Sequence, residues 1–97
     1  MKLVVVPLAL AELHDAAAFY AASANAELGL AFLAEFERAA ADILANPEVG
    51  AVFRPSWRRY VLRRFPYSVF YQIAGDEIRV IAVAHQRRRP SYWAGRK

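Results

Sequence analysis

Tyr67-Ser68-Val69-Phe70-Tyr71-Gln72-Ile73-Ala74-Gly75-Asp76-Glu77-Ile78-Arg79-Val80-Ile81-Ala82-Val83-Ala84-His85 is the stretch whose pattern decides the fold. Tyr67, Val69, Tyr71 and Ile73 alternate with Ser68, Phe70 and Gln72, the period of a half-buried strand. Ala74-Gly75-Asp76-Glu77 carries the turn residues that reverse the chain. Ile78, Val80, Ala82 and Ala84 then point one way, and Arg79, Ile81, Val83 and His85 the other. The first set is expected to face the helices that precede this stretch. The second face, with Ile81, Val83 and Phe70 beside arginines, is too apolar for plain solvent, so a partner is expected to cover it.

Immediately upstream, Arg58-Arg59-Tyr60-Val61-Leu62-Arg63-Arg64 reads as a further strand that stops at Phe65-Pro66. Gly50 to Trp57 reads as irregular. Two helical patterns precede it. Leu33, Phe36, Ala40, Ile43 and Leu44 recur at helical spacing up to Asn46-Pro47, and Leu10, Leu13, Ala17 and Tyr20 do so from Leu8 to about Asn25. Glu12 and Asp15 are read as acids near a helix start, favoured there by the dipole. Ser23-Ala24-Asn25 separates the helices as a tight turn, and Leu3-Val4-Val5-Val6, ended by Pro7, is a short strand. The expected class is therefore α+β in two layers. An N-terminal strand and an antiparallel helical hairpin precede a three-stranded antiparallel meander, in the order β-α-α-β-β-β.

The chain of 97 residues suits a single domain, 1–97, with one modest core. It has no cysteine, which removes disulfides and thiolate metal sites, and with His14 and His85 as the only histidines no structural zinc, other metal or cofactor is expected. Leu3 to Ala11 imitates a signal peptide, but Pro7 breaks the apolar run and Glu12 follows it, so neither a leader nor a membrane span is expected and the cytoplasm is the default. The net charge of +4 hides a division. Residues 1–50 hold two basic residues, Lys2 and Arg38, against seven acidic ones; residues 51–97 hold ten arginines and Lys97 against Asp76 and Glu77. The planar guanidinium fork suits phosphate and carboxylate recognition.

Two chemistries fit a basic second half. RNA cleavage needs a base, cations for the developing phosphorane charge and an acid for the leaving oxygen, which His85, Arg87 to Arg89 and Tyr92 could supply. A strand-end histidine equally serves as a capping or packing group. A binding surface without chemistry would use the same arginines, with Tyr92 and Trp93 either as anchors or folded back to seal a small core. No glycine-rich phosphate loop or metal-ligand cluster is present.

Arg64-Phe65-Pro66-Tyr67-Ser68-Val69-Phe70-Tyr71-Gln72-Ile73 and Ile78 through His85-Gln86-Arg87-Arg88-Arg89-Pro90-Ser91-Tyr92-Trp93, together with Asn46-Pro47-Glu48-Val49-Gly50, resemble the ParE/RelE toxin superfamily over nearly the whole chain. The resemblance is strongest to the ParE-like branch. It implies the toxin half of a type II toxin–antitoxin pair, neutralised by a cognate antitoxin in a hetero-oligomer. ParE-like members poison DNA gyrase without cutting anything; RelE-like members are endoribonucleases that cut messenger RNA on the ribosome with lysines and arginines around the sheet. Lys2 and Lys97 are the only lysines here, so the resemblance points to gyrase and away from an enzyme. Under the nuclease alternative the catalytic candidates are His85, Arg87, Tyr92 and Arg63. Target contacts are expected from Arg87, Arg88, Arg89, Tyr92 and Trp93, and antitoxin contacts from Arg58, Arg59, Arg63, Arg64, Ile81 and Val83. A non-toxic binding module of the same fold is a second alternative.

Overall fold

Pro7 has no N–H to donate and holds φ near the helical value, so it starts a helix directly after an extended Val6 (φ −65°, ψ 153°). At the next boundary the Asn25 side chain accepts the Leu28 N–H at 2.8 Å, capping the second helix. These local signals divide the N-terminal half as the periodicity predicts. In the computed structural model, which describes residues 1–88, 90–93 and 96, the elements are β1 (Lys2–Val5), α1 (Pro7–Ser23), α2 (Ala26–Ala45), β2 (Ala51–Arg54), β3 (Trp57–Val61), β4 (Tyr67–Ala74) and β5 (Glu77–His85), then a 3-10 turn (Pro90–Trp93). The two helices approach closely at Gly29, where a Cβ would sit 2.7 Å from the Ala17 carbonyl oxygen.

The five strands form one sheet in the order β1-β5-β4-β3-β2, with β1 parallel to β5 and every other pair antiparallel. The α+β architecture expected from the sequence is present, with one additional strand. Ala51–Arg54, read as irregular, pairs with β3 across the Pro55-Ser56 turn. Its four residues are too few to show a period, which is why the pattern hid it.

Residues opposite one another across an antiparallel pair share a side of the sheet. Tyr67 stands opposite His85, and its ring meets Tyr20 of α1 and Phe32 of α2 at 6.2 and 5.0 Å between centroids. Tyr60 and Tyr71 also reach toward α2, the first bonding Asp42 and the second the Pro47 carbonyl. This is the helix-covered face. Phe53, Trp57 and Phe70 lie on the other, and all three rings pack on Trp93.

The register overturns one expectation. Phe70 pairs with Ala82 but Tyr71 pairs with Val80, leaving Ile81 as an extra residue in a bulge. The bulge flips the parity of everything beyond it. Ile78 and Val80 face the helices as expected, but so do Val83 and His85, while Ala82 moves to the side of Phe70. The expectation that a partner must cover an apolar second face is also corrected. Phe70 and Trp93 are 4 and 0% exposed, because the C-terminal turn folds back and lays Trp93 over that face, while Ile81 in the bulge and Val83 on the helix side are 0 and 2% exposed. An indole buries ~200 Å², worth at most about 5 kcal/mol of transfer free energy.

Candidate functional site

The β3–β4 loop and the turn after β5 meet at one end of the sheet because Tyr67 begins β4 opposite the end of β5. The Gln86 N–H donates to the Pro66 carbonyl at 2.8 Å, tying the two loops, and the Leu62 N–H donates to the Tyr67 carbonyl at 3.0 Å, closing the β3–β4 loop. Leu62 and Phe65 turn inward and are buried, leaving Arg63 and Arg64 exposed beside Arg87 and Arg88. Arg64 has φ 74°, the left-handed region that costs a residue with a Cβ roughly 1 kcal/mol. Its guanidinium lies 5.4 Å from the Phe65 ring centroid. Arg58 and Arg59 belong elsewhere, in the middle of β3. Arg58 donates to the carbonyls of Glu48 and Gly50 at 3.0 and 2.8 Å, fixing the approach to β2, while Arg59 is exposed. Arg63-Arg64 and Arg87-Arg88, which the sequence reading joined only as Arg63 with Arg87 under the nuclease alternative and otherwise divided between antitoxin and target, thus lie on adjoining loops that form one basic rim. Arg89 lies outside the described residues.

Beside the rim, His85 accepts the Arg87 N–H on Nδ1 at 3.1 Å, and its ring stands edge-on to Tyr67 at 5.1 Å. It caps a turn and packs, which leaves Nε2 as the ring nitrogen without a hydrogen bond among the described residues. A cleft of about 240 Å³ opens between α1 and the end of β5, lined by Asp15, Phe19, Tyr67, His85, Arg88 and Tyr92 with Glu12 at its side. Tyr92 donates its hydroxyl proton to Glu12 Oε2. Arg96 donates to both oxygens of that carboxylate, at 2.7 and 3.2 Å, and to the Ile81 carbonyl at 3.2 Å. The Val83 N–H donates to Glu12 Oε1 at 3.1 Å. The guanidiniums of Arg88 and Arg96 lie 4.1 and 5.2 Å from the Tyr92 ring centroid. Burial, and then the adjacent Glu12 carboxylate, hold the Tyr92 hydroxyl well above the usual tyrosine range, so it keeps its proton.

Glu12 is the residue that sequence reasoning missed. It lies beyond the first helical turn, which contains no acid, so the dipole reading does not describe it. β1 pairs with β5 only as far as Val80, and Glu12 and Arg96 satisfy the backbone groups of Ile81 and Val83 that lie past its end. The signal available was its place three residues after Ala9 and one before Leu13, both buried.

The sequence matches the family described as ParE toxin of type II toxin–antitoxin system, parDE, over residues 3–90. The chain belongs to the ParE toxin family. No curated protein matches it. A solved structure titled as the chromosomal ParDE TA system from P. aeruginosa superimposes with a TM-score of 0.77 at 23% identity, covering 88% of this chain and 95% of that one, which is a shared fold. Within this ParE-family chain the matched segment includes the sheet from Leu3 onward and the rim arginines to Arg88, while Tyr92, Trp93 and Arg96 follow it. No helix among the described residues is long and apolar enough to cross a membrane.

Proposed function

We propose that this ParE-family chain is a toxin that inhibits DNA gyrase in the cytoplasm and is neutralised by a cognate antitoxin. Family membership supports the toxin class. The observation that favours gyrase over messenger cleavage is the Tyr92 hydroxyl: its proton is committed to Glu12 beneath two guanidiniums and held more tightly than an ordinary tyrosine holds it, which withdraws it as the general acid for a leaving oxygen. Trp93, buried in the core, offers no surface to a target, so target contact is assigned to Arg87, Arg88 and the outer edge of Tyr92.

Antitoxin recognition draws on Arg59, Arg63 and Arg64, with exposed Phe19 and Leu30 on the helices as apolar anchors for an acidic chain that orders on binding. Ile81 and Val83 are buried within the chain and take no part in this reading. The test is supercoiling of relaxed plasmid by purified gyrase with the chain added alone. Inhibition at stoichiometric toxin is expected, and its reversal by the antitoxin. Unchanged supercoiling at large excess, accompanied by cleavage of ribosome-bound messenger, would replace this reading with the nuclease one.

A further inference from the structure

Four guanidiniums at one end of the sheet make no side-chain ion pair among the described residues. Among the described residues the side-chain ion pairs use Lys2, Arg38, Arg79 and Arg96; Arg63, Arg64, Arg87 and Arg88 are not in that set. The acids nearest the two loops are already engaged. Glu35 takes two hydrogen bonds of 2.7 Å from Arg38 and one of 2.6 Å from the Arg63 N–H. Glu12 is held by Arg96, Tyr92 and Val83. Two exposed carboxylates remain near the rim on the helix side, Asp15 on α1 in the cleft with Arg88 and Glu27 on α2 in a groove with Arg64, so an anion approaches from the loop tips. Two of the four arginines are positioned in advance, Arg88 over the Tyr92 ring and Arg64 over Phe65 on a left-handed backbone. Backbone outliers of that kind gather where a site needs a side chain held in one place.

The surroundings of the rim select among anions. The apolar anchors open to a protein partner, Phe19 and Leu30, lie on the helices, whereas Leu62 and Phe65 in the loop between the arginines are turned inward. Single-stranded nucleic acid would need free aromatic faces, yet Tyr67 is packed on Tyr20 and Phe32, Tyr92 lies under Arg88, and Trp93 is in the core; Phe19 on α1 is the exposed ring nearby. A duplex backbone asks only for guanidiniums on a convex edge. We infer that the rim of Arg63, Arg64, Arg87 and Arg88 holds the phosphodiester backbone of duplex DNA, so that the toxin touches the DNA as well as the enzyme acting on it. The biological setting rests on the gyrase reading; the contact itself does not.

Fluorescence anisotropy of the chain with a labelled random-sequence duplex, without gyrase, tests it. With four phosphates neutralised, the slope of log K against log salt is about −3.6, or roughly a 100-fold loss of affinity between about 50 and 200 mM salt. Arg63→Gln, Arg87→Gln and Arg88→Gln each bring the slope toward zero by about 0.9, as does Arg64→Asn, in which asparagine tolerates the left-handed φ. Arg54→Gln, at the end of β2 opposite the first residue of β3 and so away from the rim, leaves the slope unchanged. Thermal unfolding of each variant shows that the fold is intact. No duplex binding, a slope indifferent to all four changes, or equal binding of single-stranded RNA or polyglutamate overturns the inference. Duplex binding without gyrase inhibition would leave the rim standing and remove the gyrase reading; inhibition without duplex binding would do the reverse.

Discussion

Glu12 shows how one side chain can carry long-range structure. Its two oxygens accept from the backbone of β5, the hydroxyl of Tyr92 and the guanidinium of Arg96, joining α1 to residues more than seventy positions away. Replacing it with glutamine keeps the size, removes the charge and brings an amide NH2 into a site where the Val83 N–H and the Arg96 guanidinium can only donate. Leaving a partly buried guanidinium unpaired costs about 1–3 kcal/mol. Glu12→Gln is therefore expected to lower the urea midpoint by that equivalent, with part of the change seen as earlier loss of tryptophan fluorescence from the C-terminal turn. An unchanged midpoint would mean that the tail is held by Trp93 alone. His85 illustrates the opposite outcome at the same scale. A strand-end histidine was legible from the sequence as either a chemical or a capping group, and the Arg87 N–H on Nδ1 shows the capping contact.

Among the elements, β5 and the C-terminal turn depart furthest from the sequence pattern. A strict alternation places Val83 and His85 on the outer face; the bulge at Ile81 puts them on the helix side. Nothing in Val80-Ile81-Ala82 announces a bulge, since it arises from the pairing with β4 rather than from residue type. The same turn supplies Trp93 as the cover for Phe53, Trp57 and Phe70. Trp93→Ala should therefore destabilise by about 3–5 kcal/mol and shift equilibrium unfolding, as a core truncation does. A Trp93→Ala protein with wild-type stability but no hold on its target would identify the indole as a contact instead of a core residue.

Across the whole molecule, charge is sorted by partner. Arg38, Glu35, Asp42 and Tyr60 tie α2 to β3 in a polar cluster, while the rim arginines stay free of carboxylates among the described residues. That sorting sets the pH response. The Arg38 side chain, with burial opposing, holds the Glu35 carboxyl below its ordinary 4.5, and the Tyr60 hydroxyl and Arg38 hold the Asp42 carboxyl below 3.8. Their stabilisation is present above those values and is lost as pH falls through the lower folded-state ones. All five tyrosines are held above the ordinary 10.0, chiefly by burial. The unfolded chain then releases phenolic protons that the folded chain retains, so stability falls as pH rises past about 10. Thermal unfolding across pH should show a plateau through neutrality with losses on both sides; a rise in Tm between about pH 9 and 11 would contradict the tyrosine environments.

The sequence by itself determined the α+β class, the helical hairpin, the β4–β5 hairpin and the segregation of arginine into the second half. All of these are encoded in short-range periodicity, Pro7, Asn25 and Gly75, and simple composition. Tertiary structure alone decided that Arg63 and Arg64 join Arg87 and Arg88, because only strand pairing brings the β3–β4 loop to the end of β5. It also decided that Glu12 closes the open edge of β5 and that Trp93 fills the second face. These contacts link residues far apart along the chain, and no local pattern records which distant groups a fold will bring within bonding distance.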